Sequence, residues 1–522
     1  MAKYILKRVL HGIFSVVVVV GIVMILIYSL LNRNQIFAND PNFIKVSANR
    51  KTVYKYEKWE LFGYLDYVNY TDWLTELVSK GELESDMRSK VVSLGKTAEN
   101  DKEEVAEYVR KFTEYYQSRG YEVTRLNTVM AGKKVASGGQ AQLFAAKDKP
   151  LFSRLLNYFG HLFQVDTISY AKDYEGERGL TFTWRDPLYG GKKFSPAVIG
   201  SGTKHKYLLY FDDQAPYIHQ NLLSINLGVS YSVNQGSEVW STMTKRQGSY
   251  VQRLVTFPTG LTEMRADDLH TATYAAGSLN SSDANKSRFV DDYTNVSLFL
   301  GGKSRMGYSF VIGIISVALS YLVGVPIAIW MAQKKDKAVD KIGSVYVVFI
   351  TAMPALAYIF LVKAIGDKIG LPTTFNIEKY SWIMLVLPVV SLALRPIGST
   401  MRWLRRFMVD QQYADYVKFA RSGGLSEREI FSEHILKNAA IPIIHGIPAS
   451  ILFSLTGALI TERVYVVPGV GGIFINAINA YDNGVIVGVA MFYAVLSVVA
   501  ILLGDILMSI VDPRISFTSK AR

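Results

Sequence analysis

Residues 308–332 read YSFVIGIISVALSYLVGVPIAIWMA, an apolar run without a charged side chain. A helix needs about 20 such residues to cross the hydrocarbon core of a bilayer. Five more stretches are mostly apolar, and they are Ile13–Leu31, Val345–Ala364, Trp382–Leu394, Ile441–Ile460 and Val485–Ile510. The stretch from Trp382 is the shortest and contains Pro388. The sequence therefore predicts a polytopic α-helical membrane protein with about six transmembrane helices.

Composition supports this class and excludes others. Half of the residues are apolar and the chain has no cysteine. Structural disulfides, thiolate catalysis and cysteine–zinc sites are therefore excluded. The core of the first apolar run exceeds the length of a secretory h-region, and no small-x-small cleavage site follows it. We interpret this run as an uncleaved signal anchor and first transmembrane helix.

The distribution of charge predicts an orientation. If the N-terminus is inside, the cytoplasmic pieces are Met1–Leu10, Gln333–Gly343, Met401–Ala440 and Asp512–Arg522, which together carry 17 Lys and Arg against 8 Asp and Glu. Residues 32–305 carry 35 against 31. Because short loops rich in Lys and Arg stay in the cytoplasm, both termini are predicted inside and residues 32–305 outside the cell membrane. The basic clusters indicate topology and contact with lipid headgroups rather than nucleic-acid binding.

Three regions follow from this layout: residues 1–31 with the first helix, an extracytoplasmic domain at 32–305, and a permease-like core at 306–522. The pattern of Lys102–Arg119 predicts a helix with Gly120 as its C-cap. Leu180–Trp184 and Ile225–Val233 alternate as strands do, and Leu188–Lys193 contains a glycine turn. The insert is therefore predicted to be mixed α+β, with Asp267–Asn295 as a polar linker.

No catalytic set is evident in the sequence. Gly302-Lys303-Ser304 ends like a phosphate-binding loop, but Ser297 stands where that motif requires glycine. The histidines lack metal-ligand spacing, and Gly469–Gly472 lacks the dinucleotide-binding pattern. The chain is thus predicted to bind no metal or cofactor and to be no enzyme.

The polar segment after the fourth apolar stretch is the most informative one. Its pattern predicts a short helix over Tyr413–Arg421, a break at Gly423-Gly424 and a second helix that continues to Pro442. Ser426 and Glu429 have the spacing of a capping box. A side of the first helix formed by Ala414, Val417, Ala420 and Arg421 offers small residues for docking.

This segment resembles the coupling loop of ABC importer membrane subunits. Lys418-Phe419-Ala420 stands at the family's Glu-Ala-Ala triplet, with Gly424 at its glycine and His434–Lys437 at its closing quartet. The leading Glu and the final Pro of the family pattern are absent here, as they are in the oligopeptide/dipeptide permease branch. Residues Asp415–Pro442 resemble the pattern of that branch almost throughout. The segments that also resemble this branch are Tyr4–Leu10, Val464–Gly472 and Asp512-Pro513-Arg514. The large insert resembles a Gram-positive oligopeptide permease subtype.

The resemblance implies a type I ABC importer permease that forms half of an oligopeptide pathway. It implies a homologous second permease subunit, two cytoplasmic ATPases that bind ATP-Mg, and a lipid-anchored extracellular peptide-binding protein as partners. The predicted ATPase-coupling residues are Tyr413, Ala414, Asp415, Tyr416, Ala420, Arg421, Gly423, Gly424, Leu425, Ser426, Glu427, His434 and Leu436. The insert is hypothesised to be a platform for the peptide receptor.

Polar groups and prolines at membrane depth are the second set of candidates, because both are costly in a bilayer. The candidate pathway or gate residues are Pro354, Pro388, Arg395, Glu462, Arg463, Pro468 and Gly469. Arg395 is predicted near the inner end of the fourth helix, and Glu462 with Arg463 at an outer gate or in an interfacial structural role.

Other functions stay open at this point. The cargo could be dipeptides or nickel chelates within the same family. A secondary transporter driven by an ion gradient is the chief alternative class, although no duplicated half or paired acidic site is evident. A membrane-anchored sensor or assembly factor is a third possible class of function, but this class leaves the coupling motif unexplained.

Overall fold

The structure of the chain is a computed structural model, which describes residues 2–165, 175–185, 196–202, 207–211, 216–218, 223–232, 235–244, 247, 252–256, 262–266, 273–274, 294–295 and 304–511. The predicted turn at 188–193 and the motif 512–514 lie outside these residues, as does most of the predicted linker 267–295. Within them, five helices are long and apolar enough to cross a membrane, or six if a bent pair counts as one span. The predicted polytopic helical class is therefore confirmed.

The helices of the described residues follow in chain order. They are α1 (Ala2–Leu30), α2 (Pro41–Lys45), α3 (Ala48–Leu61), α4 (Tyr70–Ser79), α5 (Ser85–Val91), α6 (Glu103–Gln117), α7 (Leu151–His161), α8 (Val239–Thr244), α9 (Arg305–Gln333), α10 (Ala338–Ala352), α11 (Ala355–Lys368), α12 (Val386–Gln412), α13 (Asp415–Ser422), α14 (Glu427–Glu429), α15 (Lys437–His445), α16 (Ile447–Tyr465), α17 (Val470–Asn479) and α18 (Asn483–Val511). Short 3₁₀ helices occupy Arg33–Phe37, Ala98–Asn100 and Trp382–Leu385.

The third predicted span, Val345–Ala364, is wrong as a single helix. Helices α10 and α11 meet at an angle of 111° around Met353 and Pro354. Met353 precedes a proline and adopts an extended backbone with ψ 132°, since the pyrrolidine ring disfavours helical geometry at that position. Pro354 is then the N-cap residue of α11.

The fourth predicted span, Trp382–Leu394, is too short. A 3₁₀ turn and α12 together run from Trp382 to Gln412. Pro388 is the third residue of α12, where its missing N–H breaks no helical bond, and Pro396 lies inside the same helix. Residues 401–412, predicted to belong to the cytoplasmic loop, therefore continue the membrane helix, and Arg395 lies near its middle rather than at its inner end.

The fifth predicted span, Ile441–Ile460, is divided. Helix α15 ends at His445 and α16 begins at Ile447, with Gly446 between them. Helix α16 then continues past the predicted end to Tyr465.

Two apolar clusters organise the membrane part. Helices α9, α11, α12 and α16 share one cluster, which includes Ile312, Ile359, Leu392 and Ala458. Helices α1, α17 and α18 share another, which includes Val20, Ile473 and Val489 and also takes in Leu227 and Val239 of the insert. The second cluster therefore joins the insert to the membrane helices.

The insert contains helices and antiparallel sheets, as predicted. Its strands are β1 (Leu65–Asn69), β2 (Glu122–Leu126), β3 (Met130–Ala131), β4 (Lys134–Val135), β5 (Gln142–Asp148), β6 (Phe163–Val165), β7 (Gly179–Thr183), β8 (Ala197–Ser201), β9 (Tyr207–Phe211), β10 (Pro216–Ile218), β11 (Leu223–Ile225), β12 (Gln252–Thr256), β13 (Thr262–Ala266), β14 (Thr273–Tyr274) and β15 (Thr294–Asn295). The sheets have the orders β1-β5-β2, β10-β9-β8-β7, β11-β6, β12-β13, β14-β15 and β3-β4. In the first sheet, Tyr67 pairs with Ala146 and Thr124 with Phe144.

Two predictions inside the insert have clear outcomes. The predicted helix at 102–119 is present as α6, and Gly120 follows it with φ +78°. The strand predicted for Ile225–Val233 is wrong at residues 226–232, because β11 ends at Ile225, and Val233 lies outside the described residues. The following residues have another role, described below.

Candidate functional site

The segment between α12 and α15 has the predicted helix–turn–helix form. Helix α13 covers Asp415–Ser422, two residues later at its start than predicted. Gly423 has φ −75°, whereas Gly424 has φ +82°, in the left-handed region that favours glycine. The Leu425 N–H donates to the Ala420 carbonyl at 3.3 Å, so the turn closes the C-terminus of α13.

A capping box begins the second helix, as predicted. The Ser426 hydroxyl accepts from the Glu429 N–H, and the Glu429 carboxylate accepts from the Ser426 N–H at 2.9 Å. Arg421 of α13 reaches across the turn and donates to Glu427 at 2.6 Å. This guanidinium lowers the pKa of the Glu427 carboxyl. Both side chains are more than half exposed, so the pair fixes geometry more than it adds stability.

The second helix is wound more widely than the first. Residues Ile430–Leu436 form a π-helical stretch between α14 and α15. Such stretches are rare and occur mostly at functional sites. The π-helical stretch could not be predicted from sequence periodicity. Ile430 and Ile435 are both buried by tertiary contacts, which the sequence pattern does not show.

The inner side of α13 packs on the chain's own membrane helices. Val417 is fully buried in a cluster with Ala328 and Ala332 of α9 and Leu404 and Met408 of α12. Ala420 packs against the same cluster. The predicted docking face of Ala414, Val417, Ala420 and Arg421 is therefore wrong at its centre, which packs on the permease itself, while Arg421 is exposed. Motion of α13 would be transmitted directly to α9 and α12 through this cluster.

The opposite side of α13 is open. Phe419 is 78% exposed, and Tyr413 and Leu425 are also large exposed side chains. A phenylalanine so exposed on a short helix is typical of a protein interface. Among the predicted coupling residues, the exposed ones are Tyr413, Asp415, Tyr416, Arg421, Gly423, Gly424, Leu425, Ser426 and Glu427, and the half-buried ones are Ala414, Ala420, His434 and Leu436.

A cleft of about 820 Å³ separates the C-terminal end of α9 from the turn after α13. Lys335, Lys418, Arg421 and Arg428 line it, opposed by Glu427. Lys335 also donates to the Tyr413 hydroxyl at 3.0 Å. Two of these four cations are already paired, Lys418 with Asp415 and Arg421 with Glu427.

Glu462 does not line an open gate in this structure, contrary to one of its two predicted roles. Its side chain is 1% exposed and accepts from the Ser309 hydroxyl at 2.5 Å and from the Gly471 N–H at 3.0 Å. The Ser309 oxygen in turn accepts from the Val470 N–H at 2.9 Å. Glu462 of α16 therefore holds the N-terminus of α17 and the start of α9 together.

Glycines make this arrangement possible. A Cβ on Gly469 would lie 2.1 Å from the Glu462 carboxyl carbon, and one on Gly471 would lie 2.6 Å from the Leu459 Cα. Pro468 is half-buried in the same turn, and Arg463 is exposed and donates to the Asn476 amide oxygen at 3.3 Å. The structure brings Glu462, Pro468 and Gly469 into one turn; Pro354, Pro388 and Arg395 belong to other helices.

Replacing Glu462 with alanine will destabilise the fold by about 2–4 kcal/mol, because the Gly471 N–H and the buried Ser309 hydroxyl lose their acceptor. Transport per correctly folded complex will stay near wild type. Thermal unfolding of detergent-purified protein and uptake normalised to folded protein measure the two effects. Arg463→Ala is the matched control, with little expected change. An unaltered melting temperature with impaired uptake would contradict this structural role and support the predicted gate role of Glu462.

Two buried carboxylates were missed by sequence analysis. Asp340 at the start of α10 is paired with Arg405 of α12 through two bonds of 2.5 Å. Asp482, just before α18, is fully buried and accepts from the Ser230 hydroxyl at 2.6 Å, the Tyr231 N–H at 2.8 Å and the Ser232 N–H at 3.1 Å. The only sequence signal for Asp340 and Asp482 was that each is an acidic residue next to an apolar run.

Asp482 explains why residues 226–232 are not a strand. They form a loop bound to the end of the membrane core, and a Cβ on Gly484 would lie 1.9 Å from the Val229 carbonyl oxygen. Tyr231 stacks on Phe62 with ring centroids 3.9 Å apart, and burial raises its pKa well above the usual range. We refer to Asp482 with residues 226–232 as the insert–core joint.

No cluster of three or more His, Cys, Asp or Glu side chains able to hold a metal occurs among the described residues. Buried carboxylates here accept from the chain's own hydroxyls, amides and guanidinium.

Comparison with known proteins gives consistent matches. The family model described as "Binding-protein-dependent transport system inner membrane component" matches residues 324–517. The chain is 35% identical over 527 residues to the oligopeptide transport system permease protein AmiC of Streptococcus pneumoniae, with 100% of this chain and 99% of AmiC covered. It is 30% identical over 229 residues to the dipeptide transport system permease protein DppB of Lactococcus lactis, covering 43% of this chain and 73% of DppB.

Proposed function

The chain belongs to the binding-protein-dependent transport system inner membrane components, the membrane subunits of ABC importers, and we propose that it imports oligopeptides. The resemblance to the oligopeptide/dipeptide permease branch is confirmed. The chain is a transport subunit rather than an enzyme, and it resides in the plasma membrane. The observation that carries the cargo proposal is the full-length match to AmiC, which includes the insert, whereas the match to DppB covers less than half of this chain.

The partners follow from the importer family. The chain forms half of the pathway with a homologous second permease subunit, two cytoplasmic ATPases bind ATP-Mg, and a lipid-anchored receptor delivers the peptide. The exposed face of α13 with Phe419 and Leu425 is the ATPase-binding surface. Closure of the ATPases moves α13, and Val417 passes this motion to α9 and α12. This chain itself binds no cofactor.

We propose that both termini are cytoplasmic and that residues 32–305 form an extracellular domain between the regions 1–31 and 306–522. The excess of Lys and Arg at 334–341 and 402–437 supports this orientation. Within the core, the coupling segment is narrower than the predicted 401–440, because α12 continues to Gln412.

Arg395 supports a pathway along α12. It lies near the middle of a 31-residue span and is exposed, as is Ser399 one turn further along the same face. A guanidinium at this depth is costly against lipid, so this face of α12 borders a water-filled route or the second permease subunit.

The cargo and energy source are tested together. The complete complex, reconstituted in vesicles with its receptor, will accumulate labelled oligopeptides only when ATP reaches the ATPases, and an ionophore will have little effect. Dipeptides and nickel chelates are the matched alternative cargoes. Uptake that survives ATP depletion and collapses with ionophore would contradict the proposal in favour of a secondary transporter.

The insert is the platform on which the receptor docks. Large exposed side chains on it, namely Tyr115, Met130 and Trp184, suit protein contact. Because the chain lacks cysteine, a photoactivatable cross-linker can be attached to a single cysteine at each position in turn. We expect the receptor to be captured from at least one of them. Receptor-dependent uptake with capture from none would argue against the platform.

A further inference from the structure

Helix α7 has two apolar sides, and only one of them is covered by protein. Leu155, Tyr158 and Phe159 pack against the cluster that α1 shares with α18, and Leu162 just after the helix is buried in it. Phe152 is 70% exposed and Leu156 is 56% exposed, one turn apart. Phe163, after the helix, is 56% exposed as well.

The other side of α7 is polar. Asn157 and His161 lie roughly 120° and 160° around the helix axis from the midpoint between Phe152 and Leu156, at about 100° per residue. Ser153 lies at the border, roughly 80° from that midpoint. The helix contains no acidic residue, and Arg154 is its only permanently charged one. A helix that is apolar on one face and polar on the other has the character of an interfacial membrane helix.

The depth of α7 is fixed by contacts with α1. The Arg154 guanidinium lies 3.7 Å from the ring centre of Tyr28 and 4.0 Å from that of Tyr64. Tyr28 lies in the last turn of α1, at the end of the candidate span Leu6–Ser29. Arg154 therefore places α7 at the level where the hydrocarbon core meets the headgroups.

Helix α1, on which α7 packs, also has an exposed apolar side. Ile22, Ile25 and Leu26 of α1 are 43–51% exposed within the membrane span. We propose that α7 lies in the leaflet next to the insert, with Phe152 and Leu156 inserted between lipid chains. The insert is then held against the bilayer by α7 as well as by the insert–core joint. The proposal depends on α1 spanning the membrane and not on which solute is carried.

Single cysteines at Phe152, Leu156 and Asn157 test this proposal, since the native chain has none. Each is labelled with a polarity-sensitive fluorophore in the full chain, assembled with its partner subunits in lipid nanodiscs. The labels at Phe152 and Leu156 will emit at shorter wavelength than the label at Asn157. Lipids with a nitroxide on the acyl chain will quench the labels at Phe152 and Leu156, while aqueous iodide will quench the label at Asn157.

Two results would overturn the proposal. Iodide quenching of the Phe152 and Leu156 labels as strong as at Asn157, without quenching by nitroxide lipid, would place α7 in water. Protection of both labels from both quenchers would show that a protein partner covers this face. If Phe152→Cys prevents assembly, Leu156→Cys reports on the same face. Transport of peptide is not needed for either measurement.

Discussion

Gly424→Pro will abolish ATP-driven uptake while leaving membrane insertion intact. Gly424 has φ +82°, and proline is held near φ −65°, so the turn after α13 cannot form. No heavy atom lies within 4 Å of a Cβ built at this position, so the effect is one of backbone geometry rather than of crowding. Because Arg421, Glu427 and the capping box depend on the turn, the ATPase-binding surface loses its shape. Uptake by reconstituted complexes will fall at least about tenfold, as expected for a turn strained by more than 1–2 kcal/mol.

Two controls separate the backbone effect from a general sensitivity of the segment. Gly423→Ala keeps an ordinary φ of −75° and will transport normally. Gly424→Ala forces a left-handed alanine at a cost of about 1 kcal/mol and will give an intermediate loss. Normal uptake by the Gly424→Pro variant would reject the role of this segment. Equal losses at Gly423→Ala and Gly424→Pro would attribute the effect to something other than the turn.

Asp482→Ala will destabilise the protein by about 3–5 kcal/mol. The buried carboxylate accepts from two backbone N–H groups of the insert and from the Ser230 hydroxyl, all of which would lose their acceptor. The loss acts on the insert–core joint, so residues 226–232 will become open to protease while α9 to α16 remain folded. Thermal unfolding and limited proteolysis of the purified complex measure these effects.

The matched control is Ser230→Ala, which removes one donor to the same carboxylate and spares the two N–H groups. Its cost will be about 1 kcal/mol, close to that of one hydrogen bond. If Asp482→Ala proves as mild as Ser230→Ala, the insert does not depend on the hydrogen bonds of Asp482, and the apolar contacts of Leu227, Val239 and α7 hold it instead.

Local features of the coupling segment were predictable from sequence. The capping box, the glycine turn and the short helix each depend on residues within about ten positions of one another. For the same reason α6 and Gly120 were predicted correctly. The branch of the importer family followed from the motif at 415–442, where the spacing of residue types is specific.

Features set by long-range contacts were not predictable. Which side of α13 faces inward depends on Leu404 and Met408 of α12, and an amphipathic pattern does not say what covers its apolar side. The pairing of Asp482 with Tyr231 spans 251 residues. The burial of Glu462 depends on the close approach of Gly469 and Gly471. Arg395 lies nearer the middle of its helix than predicted, because α12 continues through Pro396 and beyond the apolar run.

Phe419 offers the most direct test of the central claim, that residues 413–442 carry the motion of an ATPase into the membrane helices. A single Phe419→Cys is labelled with a photoactivatable cross-linker in the assembled importer. We predict cross-linking to an ATPase subunit with a yield that changes when ATP is added, and reaction with a membrane-impermeant maleimide only from the cytoplasmic side. Labelling of Cys at this position from outside intact cells, or failure to capture any ATPase, would contradict the claim.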